Sequence, residues 1–268
     1  KDSKVYPSSN TQLILRDLSD NGFFSFLIPK KYGGTQLSVR EMSDVLTRIS
    51  SNNVSLGVTV MVPNSLGPSE LLIKYGTEEQ KNTYLPKLAK GSLIPCFGLT
   101  GPNNGSDALG SIDTGIVKKK NNKLIIEVNL NKRYITLAPI ANLVGLAINI
   151  TDPDNLLEGR KIGPTVFLLE KNHPNLSLDT HHNPLDIGFP NGTIKGNIEL
   201  SLDQIIGGEE KLGEGWKMLM ECLAAGRGIC LPATANASSK VCTYGIYNYI
   251  KHRRQFNIPL IKMEGVSN

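Results

Sequence analysis

The chain has no Cys-x-x-Cys pair, no Gly-x-Gly-x-x-Gly motif, no internal repeat and no low-complexity tract in its 268 residues. Its four cysteines (Cys96, Cys222, Cys230 and Cys242) each lie in an apolar context, which predicts buried free thiols in a reducing compartment. Of its four histidines only His181 and His182 are neighbours, and they lack the spaced partners of a metal site. That pair is expected in a solvent-exposed loop, and no metal is expected. The longest apolar stretch, Val54 to Pro63, is broken by Ser55, Gly57 and Thr59 and is too short to span a bilayer. No charged-then-apolar segment opens the chain, so a soluble protein, or a soluble piece of one, is expected. Basic residues are scattered over a mild net charge of +5, without the basic face and interleaved aromatics of nucleic-acid binders. The tightest cluster, Lys118 to Lys120, sits beside Asn121-Asn122 and reads as a solvated hairpin tip.

What is present divides into three segments. Residues 1–93 read as an α-helical domain. Ser38 to Glu41 has capping-box spacing ahead of Met42, Val45, Leu46 and Ile49 on one face, and Thr77 to Gln80 opens a helix that closes at Gly91. Residues 94–208 switch to a strand period, with short runs at Leu124 to Leu130, Tyr134 to Thr136, Leu143 to Ile150, Thr165 to Leu169, Leu176 to Leu178 and Ile194 to Leu200, as in a compact barrel or sandwich. In residues 209–268 the helical period returns, and Pro232 should interrupt it. Helices, then strands, then helices make an α+β layout and argue against a Rossmann domain.

The segment from Cys96 to Asp107 is the most informative. A short apolar strand (Phe97, Gly98, Leu99) runs into Thr100 and then a turn of small residues ending in Gly105-Ser106-Asp107. Such a turn can present backbone N–H groups and two hydroxyls to a ligand. Taken bare, it is also an ordinary Gly/Asn turn.

Its neighbours carry a resemblance. Pro29-Lys-Lys-Tyr-Gly-Gly34, Tyr75-Gly-Thr-Glu-Glu-Gln-Lys81 with Tyr84-Leu-Pro-Lys-Leu88, Phe97-Gly-Leu-Thr-Gly-Pro-Asn-Asn-Gly-Ser-Asp107, Lys132-Arg-Tyr-Ile-Thr136, Leu212-Gly-Glu-Gly-Trp-Lys217 and Arg253-Arg-Gln-Phe256 resemble, in order, elements of the acyl-CoA dehydrogenase family. Pro63-Asn-Ser-Leu-Gly-Pro68, Asn131 to Pro139 and Gly226-Arg-Gly-Ile229 look closest to the long bacterial members of fatty-acid β-oxidation. The resemblance implies an N-terminal helical domain, a middle β-barrel and the first helices of a C-terminal bundle. It implies FAD as cofactor, an acyl-CoA thioester as substrate, an external electron-transfer flavoprotein as electron acceptor, and a homodimer or higher homo-oligomer. It also implies a cytoplasmic location, with peripheral attachment to the inner membrane left open.

Residue by residue, the resemblance assigns Phe97, Leu99, Thr100, Gly105, Ser106, Tyr134, Thr136, Arg253, Gln255 and Phe256 to the flavin, and Ser106 and Arg227 to the substrate. Thr100 would bond near the flavin's reactive edge, Ser106 would touch both the phosphate side and the acyl chain, and Arg253 to Phe256 would reach a neighbouring subunit's FAD. Plainer readings stand beside these. Thr100 could satisfy a local backbone group, Thr136 could fill a strand, Arg253-Arg254 could end a helix, and Arg227 could pair with Glu221. Asp107 is expected to organise the turn. Tyr134 stands where the family usually has Trp, and Gly101 where it usually has Glu. The base that removes the substrate's α-proton is usually a Glu on later helices, which would follow Asn268. A minority place it just before the Arg227 position, where this chain has Gly226. No catalytic base is therefore assigned. An acyl-CoA oxidase, a flavin monooxygenase and a non-catalytic binding subunit remain as alternatives on the same fold.

Overall fold

The computed structural model describes residues 9–110, 112–186 and 188–267. Five helices come first: α1 (Ser9–Asp20), α2 (Val39–Asn52), α3 (Val54–Met61), α4 (Pro68–Tyr75) and α5 (Glu78–Ala89). Local chemistry sets their starts. Ser38 and Glu41 form a reciprocal capping box ahead of α2, and Thr77 and Gln80 form another ahead of α5. Gln80 does a second job, because its amide also bonds Ile205 O and Gly207 N–H and so ties α5 to the chain leaving the sheet. α3 runs into a π-helical turn, Val62–Leu66, in which Asn64 is buried and bonds Phe23 O and Phe26 N–H.

Seven strands follow: β1 (Pro95–Gly98), β2 (Thr114–Lys120), β3 (Lys123–Thr136), β4 (Leu143–Thr151), β5 (Pro164–Glu170), β6 (Ser177–His181) and β7 (Asn191–Ser201). They form one sheet. β4 is flanked by β5 on one side and on the other by β1 over its first half and β2 over its second, both parallel to it; β3, β7 and β6 continue the sheet beyond β2. The expected hairpin tip is real: Asn121 and Asn122 both take positive φ between β2 and β3, the geometry that Asn tolerates in tight hairpins. The two runs read separately at Leu124 to Leu130 and Tyr134 to Thr136 are one long strand, kinked by a bulge between Arg133 and Ile135. Of the His pair expected in an exposed loop, His181 is exposed but is the last residue of β6, while His182 lies in the loop that follows and is half-buried. Two buried clusters cover the sheet. One joins Met42, Leu46 and Val60 to Ile126, Leu130 and Ile148; the other joins Leu71, Leu85 and Leu88 to Leu143, Val166 and Leu168.

The last segment holds α6 (Gly215–Ala225), α7 (Leu231–His252), a small hairpin of β8 (Arg254–Gln255) and β9 (Ile258–Pro259), and α8 (Glu264–Ser267). The interruption expected at Pro232 is a π-helical turn, Gly226–Cys230, placed just before it. A π-turn shifts the hydrogen-bond ladder by one residue, which absorbs the N–H that proline lacks. Cys96, Cys222 and Cys230 are buried as expected, but Cys242 is exposed on α7, whose second half has few covered residues. No helix among the described residues is long and apolar enough to cross a membrane.

One carboxyl is out of place in this packing. Glu70, in the first turn of α4, has a buried Oε2 without a hydrogen-bond partner. Burial pushes its pKa from 4.5 up to about 7. The folded state therefore keeps a proton that the unfolded chain has already lost, so this group costs stability as pH rises from about 5 through 7. Full burial would correspond to about 3 kcal/mol, and partial contact with solvent reduces that to about 1–2 kcal/mol. Glu70→Gln is expected to be more stable than the parent by that amount at pH 8 and equal to it at pH 4.5, in urea melts at both pH values.

Candidate functional site

The Cys96–Asp107 segment leaves the sheet at Gly98 and is fastened to β3 at once. Arg133 N–H donates to Thr100 O at 3.2 Å, and Thr100 Oγ1 donates back to Arg133 O at 3.3 Å. The plainer reading of Thr100 thus describes where its proton points, while the hydroxyl oxygen keeps its lone pairs. Lys132 Nζ donates to Leu99 O at 3.1 Å from a fully buried side chain. Phe97 lies directly across from Gly145 in the β1–β4 ladder, and its ring fills the space a Cβ there would need. The turn itself is built around Asn104. Its Oδ1 accepts the Gly101 N–H at 2.7 Å, and its Nδ2 reaches Ala108 O at 3.2 Å and Leu99 O at 3.4 Å. Asn104 is buried whereas Asp107 is exposed, so Asn104 takes the organising role expected of Asp107. Gly105 and Ser106 stand at the exposed crest, with open space beside Gly105.

β3 supplies the second half. Inward-facing positions alternate through Ile126, Val128, Leu130 and Lys132; the bulge then flips the alternation so that Ile135 turns inward. Tyr134 sits at the bulge with φ +60 and is 57 % exposed. A bulky residue in that conformation carries strain, which concentrates at functional sites. Its ring meets His182 edge-on at 5.3 Å, and the Arg133 guanidinium stands 5.4 Å from its centroid. His182 bonds Thr193 Oγ1 at 2.6 Å, and burial, with Arg133 next, holds its pKa below the usual imidazole range. Thr136, half-buried, pairs with Asn191 on β7, whose buried Oδ1 has no partner. Leu99 and Thr100 are therefore held against Lys132 and Arg133 of β3, just before Tyr134 and Thr136 in that strand, while Phe97 lies on β1 against β4 and Gly105 and Ser106 form the crest of the turn.

The remaining candidates lie on the C-terminal helices. Arg227 is exposed within the π-turn, and Glu221 is not its partner, because Glu221 pairs with Lys74 at 2.6 Å and accepts from Tyr75 Oη. Arg253 caps α7. Gln255 and Phe256 belong to the β8–β9 hairpin, where Phe256 and Asn257 form the tip with positive φ and Phe256 is 91 % exposed. These residues share no contact with the β1–β3 junction that the hydrogen bonds or ring contacts record. A groove of about 820 Å³ between α5 and the β5 side of the sheet, lined by Tyr84, Glu170, His173 and Asp203, contains none of the candidate residues.

Residues 2–92 match the family model "Acyl-CoA dehydrogenase, N-terminal domain", and residues 96–194 match "Acyl-CoA dehydrogenase, middle domain". The chain belongs to the acyl-CoA dehydrogenase family. It is 31 % identical over 256 residues to an acyl-CoA dehydrogenase of Bacillus subtilis, an alignment covering 95 % of this chain and 64 % of that protein. It is also 31 % identical over 256 residues to a 3-(aryl)acrylate reductase of Clostridium sporogenes, covering 94 % of this chain and 64 % of the reductase. The crystal structure of an acyl-CoA dehydrogenase from Geobacillus kaustophilus superposes with a TM-score of 0.81 at 22 % identity, covering 99 % of this chain and 69 % of that one. This acyl-CoA dehydrogenase-family chain thus spans about two thirds of the length of those curated relatives. The middle domain's match ends at residue 194, so it takes in both the turn held by Asn104 and the bulged end of β3.

Three residues that shape this junction were not among the sequence candidates: Asn104, Lys132 and Asn191. For Lys132 a signal was present, since a lysine falls on the inward register of an otherwise apolar strand. For Asn104 and Asn191 none was.

Proposed function

We propose that the protein binds FAD at the β1–β3 junction and catalyses α,β-dehydrogenation of an acyl-CoA thioester to the trans-2-enoyl-CoA. The observation that supports this reading is the fastening of Thr100 to Arg133, which holds the Thr100 turn against the strand that carries Tyr134 and Thr136. The donor set suits a flavin: hydroxyls and backbone N–H groups for a polar ring edge and a phosphate, an exposed aromatic for a ring face, and the orphaned Asn191 Oδ1 as a spare acceptor. Bound FAD would supply the hydride acceptor for the substrate's β-carbon. The chain's own part is positioning. Thr100 and Leu99 would orient the ring, Gly105 and Ser106 would take the phosphate side and the thioester, and Tyr134 would pack at the ring. Arg227 would contact the acyl-CoA, and Arg253 at the end of α7, with Gln255 and Phe256 on the exposed hairpin after it, would grip the FAD of a second subunit, which makes at least a dimer the working form. The proton-abstracting carboxylate is assigned to no residue of this chain, and electrons would pass to an electron-transfer flavoprotein.

The test is spectroscopic. FAD-loaded protein mixed anaerobically with acyl-CoA is expected to lose its visible flavin absorbance, and the absence of bleaching across a series of acyl lengths would refute dehydrogenation. Slow reoxidation by oxygen supports the dehydrogenase over an oxidase or monooxygenase. Loss of retained flavin in Arg253→Ala, with the isolated subunit still folded by circular dichroism, is the expected signature of the shared site. Unchanged flavin retention and unchanged oligomeric state in that variant would remove the hairpin from it.

A further inference from the structure

A fully buried lysine is rare, because desolvating the ammonium is costly unless partners compensate. Lys132 is such a residue. Its Nζ, with the side chain 0 % exposed, donates to Leu99 O at 3.1 Å and faces Asp113 Oδ2 at 3.4 Å. Asp113 is itself engaged: the same oxygen accepts the Asn131 N–H at 3.1 Å. Gly98 makes the room, since a Cβ there would lie 3.5 Å from Lys132 Cγ and 3.1 Å from both Ile194 and Leu146. Strand β1, the turn after it, β3 and the start of β2 therefore meet on one ammonium. Burial pulls its pKa below the usual lysine range, and Asp113 pulls it back.

The single hydrogen bond to Leu99 O is more than the fold needs. A methionine or leucine on this inward register would pack as its neighbours Leu130 and Ile194 do, and would leave Leu99 O to Asn104. Leu99 is also the residue from which the chain turns toward Thr100.

We propose that Lys132 is a positioning residue of the cofactor site, whose buried ammonium aims the Leu99–Thr100 backbone and places a fixed positive charge behind it that favours the reduced flavin. The proposal rests on the flavin reading of this junction. Hydride uptake adds one negative charge to the ring system, and a buried unit charge still shifts a charge-changing equilibrium by roughly tenfold at about 10 Å. Asp113 offsets part of that charge, and the loss of either partner should act with a different sign.

The experiment measures the flavin midpoint potential and FAD dissociation constant of the full chain with Lys132→Met, Lys132→Gln and Asp113→Asn. Lys132→Gln keeps a donor for Leu99 O without the charge, and Asp113→Asn keeps the ammonium and an acceptor for Asn131. Both Lys132 variants are expected to bind reduced FAD about tenfold more weakly relative to oxidised FAD, a fall of about 30 mV for a two-electron couple. Lys132→Met is also expected to weaken oxidised FAD severalfold, with Lys132→Gln closer to the parent. In Asp113→Asn the potential should rise. A folded, flavin-loaded Lys132 variant with the parent potential overturns the proposal, and so does an equal fall in Asp113→Asn, which would mean that only loosening of the loop was measured. If neither Lys132 variant folds, the sign in Asp113→Asn decides alone. A parent protein that retains no FAD would instead refute the flavin reading itself, and this proposal with it.

Discussion

Replacing Asn104 by alanine is expected to weaken flavin binding by ten- to a hundredfold. Asn104 is buried, and one side chain satisfies three backbone groups of the turn: the Gly101 N–H and the Leu99 and Ala108 carbonyls. Alanine would leave the Gly101 N–H without its 2.7 Å acceptor, in a place where the approach of β3 (a Cβ on Gly101 would sit 3.0 Å from Asn131 O) restricts entry of water. Each unsatisfied buried group costs about 1–3 kcal/mol, so the turn would rather open than keep its shape. Leu99 O would remain held by Lys132, and Thr100 by Arg133, so the damage falls on the crest at Gly105 and Ser106. Titration of apoprotein with FAD, followed by flavin fluorescence, measures it. Asn104→Asp, which keeps the acceptor for Gly101 but loses both donations, should fall between the two. A dissociation constant within twofold of the parent in Asn104→Ala would mean that the crest does not touch the cofactor.

The contrast between Asn104 and Asp107 shows what the sequence made legible. The capping boxes at Ser38–Glu41 and Thr77–Gln80 depend on residues three apart in one turn, and both formed as written. Strand runs were visible for the same reason, because alternation is local. Which residue of Asn103, Asn104 and Asp107 turns inward depends on how close β3 comes to the loop, and no local pattern reports that distance. The bulge at Tyr134 is of the same kind. Two short runs looked like two strands, and only pairing with β7 shows that they are one strand with an extra residue. Cys242 went wrong by another route: an apolar neighbourhood along the chain was taken for burial, but on α7 the neighbours Tyr244, Ile246 and Tyr249 are exposed as well. The residues that carry the family resemblance were legible together, and the structure brings the β1 and β3 sets within hydrogen-bonding reach while leaving Arg227 and Arg253 on separate helical elements.

Gly226→Glu should cost at least about 3 kcal/mol and should not create a proton-abstracting base. The two π-turns among the described residues lie against each other at this residue. A Cβ on Gly226 would sit 2.3 Å from Ser65 O and 2.5 Å from Leu66 Cδ2. Leu66 could rotate away, but Ser65 O is backbone in a buried turn whose neighbours Pro63 and Asn64 are themselves packed. The two turns must then separate, disturbing the seat of Cys230 against Ser65 and the half-buried Glu70 nearby. Overpacking a closed site of this kind costs about 1–3 kcal/mol when side chains can adjust and more when backbone must. At about 2–4 °C per kcal/mol for a chain of this size, the melting temperature should fall by roughly 6–12 °C. Gly228, two residues on, is the control: nothing lies within 4 Å of a Cβ there, so Gly228→Ala should be neutral or gain up to about 1 kcal/mol from helix propensity. Arg227 is thus flanked by glycines for unequal reasons, one forced by contact and one not. Thermal melts of Gly226→Ala, Gly226→Glu and Gly228→Ala separate the cases. A Gly226→Ala protein as stable as the parent would show that the π-turns move apart freely, and a carboxylate introduced there could then reach the substrate side after all.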